Sequence, residues 1–127
     1  MATQFEKHYT REEARALLPD ITRWLEKLAL LRADLEKQEE RMAGLFAPGS
    51  DLGGSLVNTW VRRSVEVQEV LMEFFRREIQ IKDLDRGLID FPAFRAGREV
   101  FLCWEQGEDD VEFWHDLDSG YASRKHL

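Results

Sequence analysis

Between Leu56 and Phe75 the chain carries apolar side chains around more of a helix than one neighbour can cover. At 100° per residue, Leu56, Val57, Trp60, Val61, Val65, Val67, Val70, Leu71, Met72, Phe74 and Phe75 occupy about 220° of arc. Asn58, Thr59, Arg62, Arg63, Glu66, Glu69, Glu73, Arg76 and Arg77 fill the rest. One antiparallel neighbour cannot bury such a face, so an isolated two-helix hairpin is excluded. The expected partners are the preceding helix on one side and, on the other, a C-terminal module or a second copy. A homodimer is the expected assembly.

The preceding segment supplies the first partner. Thr10-Arg11-Glu12-Glu13 is a capping box, in which the Thr10 hydroxyl and the Glu13 carboxylate satisfy each other's backbone amides. It opens a short helix to about Leu18. Pro19 suits the first turn of a new helix better than the interior of an old one, so a bend is expected there. A long helix then runs from about Pro19 to Phe46. Its seam is narrower: Ile21, Trp24, Leu25, Leu28, Leu31, Leu35, Met42 and Phe46 fall within about 120°, with Leu30 alone opposite. Ala47-Pro48-Gly49-Ser50-Asp51-Leu52-Gly53-Gly54 reads as the turn of the helical hairpin, and Ser55 as the cap of the second helix, which extends to about Ile79.

At Ile79 the hydrophobic period changes from helical to alternating. Ile79-Gln80-Ile81-Lys82 reads as a strand, Asp83–Gly87 as a turn, and Leu88-Ile89-Asp90-Phe91 as a short strand stopped by Pro92. Glu99–Glu105 and Val111–His115 form a stronger pair, joined by a glycine-containing loop of about three to five residues. The expected architecture is α+β: a long antiparallel helical hairpin with a small C-terminal antiparallel β-sheet. Residues 1–127 are expected to be a single domain, with 10–79 helical and 80–127 forming the β-hairpin module and tail.

The 127 residues carry a formal charge of −7, and its distribution is uneven. Residues 99–118 hold eight acids and no Lys or Arg; the remainder holds 17 acids against 18 bases. An acidic chain of this kind is not expected to bind nucleic acid or anionic lipid. No apolar run approaches the roughly 18 residues of a membrane span. The single cysteine cannot form an intrachain disulfide, and Met1 to Thr10 has no apolar signal core, so a cytoplasmic protein is expected.

Chemistry-bearing residues concentrate in the same acidic stretch. Cys103 and His115 lie on the two strands of one hairpin; with Cys103 opposite Phe113, both project to one face, and a slip of one residue separates them. With Asp90 or Glu105 completing the set they would be zinc or iron ligands, although no CxxC, HxxxH or HExxH spacing is present. The bland reading makes Cys103 a small core residue and His115 a strand-end histidine. Asp83-x-Asp85-x-Gly87 opens like a calcium loop, but its twelfth position is Phe94 instead of glutamate. Acidic surroundings disfavour a Cys103 thiolate nucleophile. Trp104 and Trp114, set among acids with Glu108 and Asp116, suit a cationic guest: the chain's own Arg124-Lys125 tail, or a cationic protein or small molecule.

Phe101-Leu102-Cys103-Trp104-x-x-Gly107-Glu108, Phe113-Trp114-His115-Asp116, Gly120-Tyr121-Ala122 and Arg124 together form a pattern. So do Ile81-Lys82-Asp83-Leu84-Asp85-x-Gly87-Leu88-Ile89-Asp90-Phe91-Pro92 and Glu13-Ala14-x-x-Leu17-Leu18-Pro19. The combined pattern resembles the prokaryotic family known as domain of unknown function 2203, with Glu108-Asp109-Asp110 unusually acidic for it. The resemblance implies a single-domain protein of about this length with no established activity, and it transfers no catalytic residue. The leading expectation is a non-enzymatic homodimer that uses Trp104, Glu108, Trp114, Asp116 and Arg124 as a binding surface. The alternative is a metal-binding protein, or a small metalloenzyme, built on Cys103, His115, Glu105 and Asp90.

Overall fold

A computed structural model of the chain describes residues 2–45 and 54–127. Two helices, α1 (Arg11–Leu45) and α2 (Gly54–Phe75), precede five strands: β1 (Gln80–Asp83), β2 (Leu88–Arg95), β3 (Arg98–Glu105), β4 (Phe113–Asp116) and β5 (Lys125–His126). The strands form one antiparallel sheet in sequential order, so the fold is α+β. The expected hairpin turn over residues 47–54 lies, but for Gly54, outside the described residues, as does Phe46.

By contact density the chain divides into two units. One comprises residues up to Leu25 together with Glu73–Leu127; the other is Glu26–Met72. In the second unit α1 and α2 run antiparallel. The Arg63 guanidinium donates to Asp34 at 2.9 Å, and the Trp60 indole N–H donates to Glu39 at 3.4 Å, so the partner number falls in α2 as it rises in α1. Leu28, Leu31 and Val70 are buried, as the two seams require, and Leu30 is exposed on the far side. The wide arc of α2 is only partly covered: Val61, Val65 and Met72 are 46%, 49% and 45% exposed.

In the first unit the capping box is present in both directions. The Glu13 amide donates to Thr10 Oγ1 and the Thr10 amide to Glu13 Oε1, each at 3.1 Å. The two helices expected on either side of Pro19 are one, because α1 is continuous through it. Ala14 and Leu18 before the proline and Ile21 and Leu25 after it all lie buried on one stripe, while Pro19 itself is exposed. Burial of that stripe outweighs one lost backbone bond. At its other end α2 stops at Phe75, short of Ile79. Glu78 adopts φ 56°, and the Ile79 amide turns back to the Phe74 carbonyl at 3.1 Å, which drops Ile79 into the core.

The sheet also departs from its expected outline. Pro92 does not stop β2, which pairs with β3 from Leu88↔Glu105 to Arg95↔Arg98. The Pro92 carbonyl accepts from Tyr9, on the side away from β3, so the missing proline amide breaks no β2–β3 bond. The β2–β3 turn, Ala96-Gly97, has positive φ at both residues (52° and 74°), the geometry of a type I′ hairpin turn. The loop after β3 is longer than expected, spanning residues 106–112. The Trp104 indole N–H donates to the Glu108 carbonyl within it, and Val111 is buried beneath.

Because neighbouring strands carry paired residues on a common face, the register sorts the sheet's side chains. Ile89, Phe91, Val100, Leu102, Trp104 and Trp114 project to one face, and all are buried. Tyr9, just before α1, meets Phe91 edge-on at 5.7 Å. Asp90, Phe101, Cys103, Phe113 and His115 project to the opposite face. Phe5 of the N-terminal segment packs there against Phe101 at 5.4 Å.

Candidate metal centre

Asp90, Cys103 and His115 come from three adjacent strands. Asp90 is directly opposite Cys103 across β2–β3, and Cys103 is opposite Phe113 across β3–β4. The latter is the register that brings Cys103 and His115 to one face, with His115 diagonal to Cys103. One donor atom from each residue lies within 4.8 Å of the others. All three residues are buried, at 0–2% exposure.

The histidine is oriented from both sides. Its Nδ1–H donates to the Asp116 carbonyl at 2.8 Å, and its Nε2–H donates to Asp90 Oδ2 at 2.9 Å. A carbonyl only accepts, so Nδ1 keeps its proton, and Nε2 could take a ligand only after giving up the proton it donates to Asp90. Burial alone would depress the histidine pKa; hydrogen bonds to Asp90 and Asp116 outweigh it and raise the value above the ordinary histidine range. Asp90 Oδ1 is buried without a hydrogen-bond partner. The Cys103 thiol is pushed up to about 12 by burial and by neighbouring Asp90, so it is no nucleophile at neutral pH.

The donor set suits a borderline divalent cation. A carboxylate, a thiolate and a neutral imidazole carry two negative charges, and all three are ordinary zinc or ferrous ligands. Tetrahedral zinc places such donors about 3.4–3.8 Å apart, roughly 1 Å closer than the widest separation here. Glu105, expected as a further ligand, instead accepts from Arg86 at 2.8 Å and stands outside the three-donor group. Asp90 is the member whose placement the sequence left most open, since its pairing with Cys103 depends on β2 running on to pair fully with β3.

Arg124 closes this face. Its guanidinium lies 4.0 Å from Cys103 Sγ, makes a bidentate pair with Glu108 (2.7 and 3.1 Å), and stacks on Phe113 (3.7 Å) and Tyr121 (4.4 Å). The tail therefore docks on its own hairpin, with Lys125 5.0 Å from the Trp114 ring. Trp104 and Trp114 are buried at 2% and 7% exposure, and Arg95 lies over Trp114 at 4.7 Å. The acidic stretch is met by bases of the same unit: Asp110 by Arg11 and Arg15, Glu105 by Arg86, Asp116 by Arg98, Glu108 by Arg124, and Glu99 by His8.

Among the described residues, no helix is long and apolar enough to cross a membrane. A family model described as Uncharacterized conserved protein (DUF2203) matches residues 7–127. No curated protein matches the chain, and no solved structure does.

Proposed function

The chain belongs to the DUF2203 family, and we propose that it is a metal-binding protein whose site is Asp90, Cys103 and His115. The observation that carries this reading is the buried three-donor group, in which His115 already donates Nδ1–H to a carbonyl and Asp90 keeps an unpaired oxygen. Buried polar atoms without partners are costly, and a cation bound by Asp90 would satisfy Oδ1. Zinc or ferrous iron is the class of ion the donors fit. Three protein ligands would leave one coordination position to water or a substrate, and Arg124 lies 4.0 Å from the sulfur as a positive charge. The same centre would join β2, β3 and β4.

Metal analysis of untagged protein tests the reading. About one equivalent of zinc or iron per chain is expected, with loss in Cys103→Ala and His115→Ala. Cobalt loaded into the wild type should give a sulfur-to-metal charge-transfer band that Cys103→Ser removes. Protein that is isolated without metal, and takes up neither zinc nor iron when titrated, overturns it.

A further inference from the structure

Within the second unit, helix α2 presents a second stripe that stays exposed, with Val61, Val65 and Met72 at 46%, 49% and 45%. Its exposed positions Val61, Val65, Gln68 and Met72 are spaced 4, 3 and 4 residues apart, a heptad stripe on one face of the helix. Val70 and Phe74, on the opposite side of α2, are buried within the chain. We propose that this stripe pairs, antiparallel, with the same stripe of α2 in a second copy of the chain.

Charge at the edge of the stripe selects that occupant. Arg62 and Glu69 are both exposed, one heptad apart on the same flank, and neither has an ion-pair partner among the described residues. In an antiparallel pair the two copies bring like flanks together. With Val65 beside Gln68 of the second copy and Val61 beside its Met72, Arg62 faces Glu69 of the second copy, and the two-fold axis repeats the contact. A slip of one heptad in either direction sets Arg62 against Arg62 or Glu69 against Glu69. A parallel pair would set Arg62 against the other flank, formed by Val57, Ser64 and Leu71, where it meets no acid. The surface is thus self-complementary in one orientation and one register, as a two-fold interface must be. A single helix face is small for a stable interface, so the association belongs in the micromolar range.

Sedimentation of the full chain from low to several hundred micromolar tests this, with far-UV circular dichroism showing that each surface variant stays folded. Wild type should pass from monomer to dimer. Arg62→Glu and Glu69→Arg should each weaken the dimer about tenfold or more, because each makes two like-charge contacts. The double swap should restore it, and an equimolar mixture of the two single variants should form a heterodimer. A chain that stays monomeric throughout overturns the proposal. So does a dimer indifferent to the single swaps, and so does failure of the double swap to restore association.

Discussion

Asp90 stands directly across β2–β3 from Cys103, and its carboxylate reaches past that strand to accept from His115 Nε2 at 2.9 Å. This one relationship converts a cysteine and a histidine on a hairpin into a three-donor group. It also buries a charge-bearing pair in the sheet, whose energetic consequences can be measured without any metal.

Removing Asp90 should expose the cost of that burial. Asp90→Ala leaves the His115 imidazole buried without its partner, at a cost of about 3–5 kcal/mol. Replacing both residues by leucine should cost less than the two single alanine changes together, because no lone buried group remains. Urea unfolding in chelator-containing buffer measures both.

Pro19 sits inside α1 with no amide to offer the Arg15 carbonyl. Pro19→Ala restores that bond on the exposed side of the helix and should stabilise the protein by about 1–3 kcal/mol. A fall in the urea midpoint would show that the helix needs the ring's restriction there.

Ala96 occupies the first position of a type I′ turn at φ 52°, where alanine is strained. Ala96→Asn or Ala96→Gly should raise stability by about 0.5–1 kcal/mol and leave the sheet register unchanged. Thermal unfolding, with amide exchange across Arg95–Arg98, checks this.

Asp110 is held down to about 2, mainly by the hydrogen bond from Arg15, against the opposing effect of burial. Its folded value lies below the unfolded one, so its contribution is complete above the ordinary carboxylate range and is lost as pH falls through about 2. Asp110→Asn should therefore lower the melting temperature by a constant amount from neutral pH to about pH 5, with the gap closing as pH falls from about 4 to 2. A gap that widens in acid contradicts the assignment.

Much of the fold was legible in the residues. The capping box, the buried stripe of α1 and the isolated position of Leu30 follow from helical geometry, which is local. The change of period at Ile79 marked where the sheet begins. Pro19 and Pro92 were misleading for one reason: a proline forbids a hydrogen bond only where the fold asks for one. Pro19 loses one bond on an exposed face, and Pro92 points its ring nitrogen away from β3.

The candidate site was legible as a set of residue types but not as a site. Cys103 and His115 share a face only in one of two registers, and a one-residue slip costs nothing that is visible in the local pattern. The structure adopts the register with Cys103 opposite Phe113. The acidic stretch presented the converse problem. Charge alone marked it as a surface open to a partner, yet Arg11, Arg15, Arg86, Arg98 and Arg124 neutralise much of it from distant parts of the chain.

By itself, then, the sequence determined the elements: two amphipathic helices, the switch to strands, and the hairpin bearing Cys103, Trp104, Trp114 and His115. Periodicity and capping act over a few residues and are written in order along the chain. Only the tertiary structure decided that β2 runs through Pro92 to set Asp90 against Cys103, that Arg124 closes over them, and that Val61, Val65 and Met72 stay exposed. Those outcomes depend on strand register and on which face each element buries, and both are settled by contacts between residues far apart in the chain.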